Sequence, residues 1–374
     1  MVFVATPVGV ASDLSKKETD QAGPVTVVNG QGQFLAQALY SPHSKIALRI
    51  LSYENCEIDR AFWRRKILSA LSLRKRLVIN SNARRLIFGE ADGIPSLIVD
   101  HYAGILVVQI LSAGLEACKS EIVDILREEM SPAGILEKSD SAVRDLEQLP
   151  RTIEILYGDV PETVVMREGH LEFAVPLRTG QKTGAFLDQR DNRFLAGQMA
   201  AGVALDVFSY HGWFACHMAE KANTVLCVES SEEAAEMIKN NARRNGAQHK
   251  IKVVVANAFD FLKEQSSAAA HFDTINLDPP AFIKSARDKE GGWRGYKEIN
   301  LRAMKMLPAG GALITSSCSH AMSAIEFEAM LLDAATDLRA QVQILYRNGA
   351  APDHPSLLTL QESNYLKCFF CRVS

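Results

Sequence analysis

From about residue 200 to the end of the chain, short apolar runs alternate with segments whose apolar residues recur every three to four positions. The first kind reads as strands buried on both faces, the second as helices packed against them. Strands are expected near 203–208, 224–228, 251–255, 273–278, 311–317, 342–346 and 365–373, and helices near 213–221, 231–245, 258–265, 296–307 and 323–338. This alternation predicts a parallel, doubly wound α/β sheet with one late hairpin. Upstream, residues 57–77 carry a helical pattern. Residues 84–156 read strand, strand, strand, helix, strand: 86–88, 96–99, 105–110, 115–129 and 153–156. Gly93 and Pro95 mark a hairpin turn in this compact α+β unit. Residues 24–53 hold short β-like runs at 25–28 and 45–51, and residues 1–23 show little periodicity and are expected to be flexible.

Length changes this picture only by admitting two or three domains in 374 residues. Hydrophobic residues make up 47% and charged residues 23%, the balance of an ordinary globular protein. A net charge of −3 leaves no global footprint for nucleic acid, so any RNA affinity must come from local patches. One such patch is legible. Between Arg60 and Arg85 lie nine basic residues and no acidic one, among them Arg64, Arg65 and Lys66. It reads either as a solvated helix face or as a surface for RNA.

The longest apolar runs are strand-sized, so no transmembrane helix is expected. The apolar N-terminus lacks a preceding positive charge, which argues against a signal peptide. Seven scattered cysteines fit a reducing compartment, and a cytoplasmic location is expected. Cys368 and Cys371 form the only C-x-x-C, inside an apolar run. They lack the second half of a zinc site, so core packing is expected and no metal.

Ligands of doubly wound sheets bind outside the carboxyl ends of the strands. The strand at 203–208 runs into Ser209, Tyr210, His211 and Gly212 before a helix. A missing Cβ at Gly212 lets backbone approach a ligand, and amides at a helix start can hold a carboxylate. The same glycine is equally consistent with a tight turn alone. The strand at 224–228 ends in Glu229, 23 residues after Asp206, where an acid can accept from both hydroxyls of a ribose. Ser230 with Glu233 reads as a capping box for the next helix. Asn257 could pair with the amine of an adenine and Phe259 could pack on its ring. The next strand ends in Asp278, Pro279, Pro280, Ala281 and Phe282. Two prolines stiffen this loop and leave Asp278 at the cleft, able to bond the edge of a planar base. Cys318 follows the fifth strand, as a small core hydrophobe or as a nucleophile.

Taken together, these segments resemble the RlmI-type family of S-adenosylmethionine (SAM)-dependent ribosomal-RNA cytosine-C5 methyltransferases. The resemblance is carried by residues 180–193 (GQKTGAFLDQRDNR), 206–212 (DVFSYHG), 278–282 (DPPAF), 294–300 (RGYKEIN) and 317–319 (SCS), with 85–93 (RLIFGEADG) similar to the family's central domain. It covers roughly residues 30–374. It implies a PUA-like RNA-binding domain over 24–70, a central α+β domain over 71–178 and a Rossmann-like class I methyltransferase domain over 179–374. It implies that 180–193 folds over SAM, with Phe186, Gln189, Arg190 and Arg193 at the cofactor. Asp206, Ser209, Gly212, Glu229, Ser230, Asn257, Ala258, Phe259 and Asp278 would share that site. Pro279, Pro280 and Phe282 would face the RNA base, and Cys318 would be the nucleophile. Large-subunit rRNA is the implied partner, a homodimer is allowed and no membrane is involved. The chain departs from the family pattern at three places. Residues 1–23 lack a His-Pro-Trp segment, Asn257 stands where an acid is usual, and Trp213 replaces a small residue and would narrow the methionine end of the pocket.

The implied chemistry is attack of a Cys318 thiolate on C6 of cytosine, which makes C5 nucleophilic toward the SAM methyl group. Asp278 would hold the N3/N4 edge, and the base must be single-stranded or flipped. One rival is an amino-group methyltransferase that uses the same D-P-P-aromatic loop and needs no cysteine. The other is a non-catalytic RNA-binding assembly factor on a degenerate SAM fold.

Overall fold

The computed structural model describes residues 21–77 and 79–374. Most of the stretch expected to be flexible therefore lies outside the described residues. The chain divides into two units. The first holds the described residues up to Met166 together with 175–187 and 352–363, and the second holds 167–174, 188–351 and 364–374.

The first unit opens with an antiparallel three-stranded sheet of β1 (Gly23–Val28), β2 (Phe34–Tyr40) and β3 (Leu48–Ser52). Helix α1 (Arg60–Arg76) follows, capped by Asp59, whose side chain accepts from Phe62 N at 2.8 Å. Next come β4 (Ala83–Phe88), β5 (Leu97–Tyr102), β6 (Ile105–Ile110), α2 (Ala113–Glu116), α3 (Lys119–Met130), β7 (Gly134–Ser139), α4 (Val143–Leu146) and β8 (Thr152–Gly158). The five strands pair in chain order, β6 with β7 parallel and the other neighbours antiparallel. Trp63 and Ile67 of α1 share one apolar core with Leu39, Leu51, Ile87, Val99 and Ile125.

Three features differ from expectation. β2 lies between the runs expected at 25–28 and 45–51 and went unread. The helix expected at 115–129 is broken at Ala117–Cys118, and β7 went unread. All six β7 residues are buried, yet Glu137 and Lys138 sit among them. Each is compensated from far along the chain: Lys119 Nζ lies 3.0 Å from Glu137, and Lys138 Nζ donates to the carbonyls of Gly180 and Lys182. A strand with buried charges has no apolar signature of its own.

A hairpin of β9 (Thr163–Glu168) and β10 (Leu171–Pro176), also unread, leads onward. The second unit then follows the expected alternation: α5 (Arg190–Met199), β11 (Val203–Val207), α6 (Trp213–Met218), β12 (Thr224–Glu229), α7 (Glu232–Arg244), β13 (Ile251–Val255), α8 (Ala258–Ser267), β14 (Thr274–Leu277), α9 (Lys289–Met306), β15 (Gly311–Ser317), α10 (Ala324–Leu338), β16 (Val342–Asn348) and β17 (Lys367–Val373). The strand order is β13-β12-β11-β14-β15-β17-β16. The first five are parallel, and β17 is antiparallel to both its neighbours. This is the expected doubly wound α/β sheet. Strand order reverses between β11 and β14, the switch point at which such sheets open a crevice for ligands.

Helix α9 begins at Lys289 rather than near 296, because three glycines obscure its first turns. A Cβ at Gly292 would lie 2.3 Å from Ile283 Cγ1 and 2.8 Å from Phe282 O, so that glycine lets α9 press against the D-P-P-A-F loop. The cap of α7 also needs correction. Ser231, not Ser230, is the N-cap and accepts from Ala234 N at 3.2 Å. Cys368 and Cys371 are both buried on β17.

Candidate active site

After β11 the backbone turns through Phe208, Tyr210 and Gly212, all left-handed, with φ of 63°, 49° and 75°. Left- and right-handed residues in alternation form a concavity of N–H groups suited to an anion. Part of it already holds one: Tyr210 N donates to Glu229 Oε2 at 2.8 Å. The other carboxylate oxygen of Glu229 accepts from Ser230 N at 2.8 Å and Ser231 N at 3.0 Å, so the acid at the end of β12 is fixed by three amides. Ser230 Oγ also reaches Glu229, at 3.3 Å. Gly212 is needed for its φ and because a Cβ would meet Ile238 Cγ2 at 2.7 Å. The room its missing Cβ leaves is taken by Ile238. Helix α6 is six residues long, so its dipole adds little to the site.

Asp206 is buried on β11. Asn276 Nδ2, opposite it on β14, donates to Oδ1 at 2.8 Å, while Oδ2 is buried without a partner. Burial, with the charge of Asp278 nearby, pushes the Asp206 carboxyl up to about 7. Ser209 Oγ is spent on the Asp206 carbonyl at 2.7 Å. Asn257 caps α8, its Oδ1 accepting from Phe259 N at 2.9 Å and Asp260 N at 3.3 Å. The oxygen expected to meet an adenine amine is thus occupied, and the amide NH2 is the remaining polar group. Ala258 is buried behind this cap. Phe259 packs on Phe282 with ring centroids 5.6 Å apart, and Phe282 in turn on Tyr296 at 4.7 Å.

The loops after β14 and β15 are joined. Cys318 Sγ lies 3.9 Å from Pro279 O. Ser319 Oγ accepts from Ile283 N at 3.1 Å and lies 2.9 Å from Tyr296 OH. Gln189 Nε2 donates to Asp278 Oδ1 at 2.9 Å and to Ser316 Oγ at 3.3 Å, and its own Oε1 accepts from Asn192 at 2.6 Å. Gln189, expected at the cofactor, is thus bonded to Asp278. Pro279 is buried and Pro280 exposed.

Arg190 and Arg193 are both buried. Arg190 Nε bonds Asp191 at 3.1 Å, and Arg193 Nε bonds Glu168 at 2.9 Å. His217 Nε2 lies 3.1 Å from the same Glu168. Burial alone would raise the Glu168 carboxyl, but Arg193 and His217 outweigh it and hold the group down at about 2. Trp213 stacks on Phe173 at 4.7 Å and under Arg193 at 5.0 Å. Its ring is thus committed to this packing. A folded pKa below the ordinary 4.5 contributes stability that is intact above that value and is lost as pH falls through the folded pKa. Glu168→Gln is expected to destabilise the protein by about 3–5 kcal/mol, because it strands a buried guanidinium. Urea unfolding at neutral pH checks this, and an unchanged midpoint would refute it.

The remaining expected residues belong to the first unit. Phe186 carries Lys182 Nζ 4.5 Å from its ring centre. The basic stretch is less positive than its sequence suggests. Arg60 pairs with Glu128 and Arg64 with Glu129, while buried Arg74 and Arg85 pair with Asp92 and Asp100. Arg65 and Lys66 lie over the Phe62 ring at 5.4 and 5.5 Å.

Ser319, Tyr296, Glu168 and Lys367 escaped the sequence reading. Tyr296 lies inside the 294–300 motif, and Lys367 interrupts an apolar run; both signals were present. Nothing local marks Ser319. Glu168 ends the alternation of β9, a signal in a strand that was itself unread.

A family described as "Conserved hypothetical protein 95" matches residues 192–288, and one described as "PUA-like domain" matches residues 7–53. Ribosomal RNA large subunit methyltransferase I of Vibrio cholerae is 38% identical over 357 residues, covering 93% of this chain and 90% of that protein. The protein of the same name from Pseudoalteromonas atlantica is 36% identical over 369 residues, covering 97% and 93%. Among solved structures, a methyltransferase complexed with SAH superposes with a TM-score of 0.82 at 21% identity, covering 93% of this chain and 91% of the other. A SAM-dependent methyltransferase from Streptococcus mutans gives 0.81 at 21% identity, covering 94% and 92%. At that identity the two structures establish the fold. Among the described residues, no helix is long and apolar enough to cross a membrane, and no cluster of three His, Cys, Asp or Glu could hold a metal.

Proposed function

The chain belongs to the ribosomal RNA large subunit methyltransferase I family, and from this we propose that it uses SAM as its methyl donor and forms 5-methylcytidine in large-subunit rRNA through a covalent Cys318 adduct. The residues present fit the donor. Asp206 Oδ2, buried and unpartnered, can accept from its ammonium. Glu229 can take the ribose hydroxyls, and Phe259 with the Asn257 amide can take the adenine, between Ser209, Gly212, Ser230 and Ala258. Arg193 acts on this side through Glu168, beside the buried Arg190.

When bound, SAM supplies an electrophilic methyl group on a sulfonium. The protein's own part is the activation of the base. The Cys318 thiolate adds to C6 with its electron pair, and the displaced C5–C6 pair makes C5 nucleophilic. After methylation the C5 proton is lost, that pair re-forms the double bond, and the sulfur–C6 bond breaks to return the thiolate. Asp278, oriented by Gln189, accepts from the N4 amine and holds the edge opposite C6. Pro279, Pro280 and Phe282 shape the base's seat. The observation that carries this reading is the 3.9 Å approach of Cys318 Sγ to Pro279 O, with the Gln189 bridge beside it. An amino-group transferase would use the Asp278 loop without needing a thiol there. Mapping of 5-methylcytidine in rRNA from cells with and without the protein tests the assignment, and an unchanged cytosine map would refute it.

We assign RNA backbone binding to Arg64, Arg65 and Lys66 of α1. Reversing all three charges is expected to weaken RNA binding and to flatten its salt dependence, by about 0.7 in log–log slope for each phosphate that is no longer neutralised. SAM affinity should not move. A slope equal to wild type would make this face merely solvated.

A further inference from the structure

Lys367 is the first residue of β17 and pairs in register with Ser317, the residue before Cys318. Its side chain is buried, with 3% of the residue exposed. A buried ammonium is costly unless something compensates its charge. Its hydrogen bonds are to neutral dipoles: Nζ donates to the carbonyls of Ser319 and Tyr365, both at 2.7 Å. Among the described residues no carboxylate forms a salt bridge with it. Burial lowers the Lys367 pKa to about 8, and the charge of a Cys318 thiolate acts in the opposite direction, raising it. The cation is thus built into the sheet next to the loop that carries the thiol: it bonds the carbonyl of Ser319, one residue after Cys318, just past the end of β15. The two carbonyls hold it on either side, from the loop of Cys318 itself and from the approach to β17.

The other groups facing this pair would not do the same work. Asp278 follows β14, and Glu326 on α10 also acts on Lys367. Both are acids, and both oppose a second negative charge. Tyr296 on α9 feels Cys318 but is itself pushed up by burial, so it stays neutral. His320 stacks on Tyr365 at 5.2 Å and is exposed.

We propose that Lys367 is the positioning residue that sets the reactivity of Cys318, its carbonyl-held ammonium stabilising the thiolate that attacks the base. The inference rests on the reading of Cys318 as nucleophile and adds the group that activates it. The thiol proton leaves to water, and the lysine keeps its own.

The test is alkylation of the full-length protein by iodoacetamide across pH, with Cys318 followed by peptide mass spectrometry. In wild type the Cys318 midpoint should fall below the ordinary thiol value of about 8.5. In Lys367→Met it should rise by about one unit or more, as removal of a neighbouring opposite charge predicts. Lys367→Arg should keep it low. At neutral pH, adduct formation with 5-fluorocytosine RNA should slow about tenfold in Lys367→Met, in step with the thiolate fraction. A wild-type midpoint at or above about 8.5 overturns the proposal without any variant. So does a midpoint in Lys367→Met equal to wild type. If Lys367→Met does not fold, Lys367→Gln, which keeps a donor for the carbonyls but no charge, decides in its place. The two readings fail separately. If wild type forms no adduct while the midpoint still shifts, the cytosine-C5 reading falls and the Lys367–Cys318 coupling stands. If wild type forms the adduct and Lys367→Met forms it equally fast, Lys367 alone falls.

Discussion

Cys318→Ser is expected to lose methylation by roughly a thousandfold or more, the scale on which removal of an enzyme's nucleophile is felt. A serine hydroxyl is scarcely ionised at neutral pH and is a weak nucleophile unless a base activates it. Lys367 is a cation tied to two carbonyls and Tyr296 is a buried phenol bonded to Ser319, so neither is set up to take a proton from a serine there. The decisive form of the experiment uses RNA carrying 5-fluorocytosine. Fluorine at C5 cannot leave as a proton does, so the sulfur–C6 bond persists after methyl transfer. Wild type should give a complex that survives denaturing electrophoresis and carries labelled methyl. Cys318→Ser should give none, while its SAM affinity stays near wild type because the thiol, 3.9 Å from Pro279 O, is proposed to meet the base rather than the cofactor. A Cys318→Ser protein that remains active and yields an N-methylated product would sink the C5 assignment. It would promote the amino-group reading, in which the Asp278 loop needs no thiol.

Glu229→Ala and Asp278→Ala should both abolish activity, for different reasons. Glu229 stands on three backbone amides, and its proposed bonds to the ribose are charge-assisted, each worth about 1.5–3 kcal/mol. Its removal should weaken SAM binding by roughly one to three orders of magnitude. Asp278→Ala should leave SAM affinity within a few-fold and depress turnover. Gln189→Ala should resemble Asp278→Ala in kind and be milder, since it removes a bond to the carboxylate without deleting the group. Titration of SAM by calorimetry separates the cases. Unchanged SAM affinity in Glu229→Ala would remove the ribose assignment.

The catalytic sheet was legible because a parallel sheet covered on both faces needs nearly continuous apolar strands, and these stand out in the chain. β11, β13 and β15 fall within a residue of where the apolar runs put them. The D-P-P-A-F loop and Gly212 were legible for a similar reason: proline stiffness and a left-handed φ are properties of single residues, whatever surrounds them. β7 was hidden because its Glu137 and Lys138 are made buriable by Lys119 and by two carbonyls beyond residue 179.

The charge reading shows the same division. A stretch of nine basic residues without an acid is a fact of sequence, but its field is a fact of the fold. Glu128 and Glu129 of α3 pair with Arg60 and Arg64, and Asp92 and Asp100 take Arg74 and Arg85 out of solvent. Gln189 likewise carries no local mark of its bond to Asp278, 89 residues on. By itself, then, the sequence determined the alternating α/β framework, the strand ends where chemistry collects, and the identity of Asp278, Glu229 and Cys318 as the groups to watch. Only the tertiary structure decided which charges are cancelled, that the Asp278 and Cys318 loops meet, and that Lys367 is bonded to the loop of Cys318. Backbone preference and apolar periodicity act over a few neighbouring residues. Partnership between polar groups depends on which distant segments the fold brings within about 3 Å of each other.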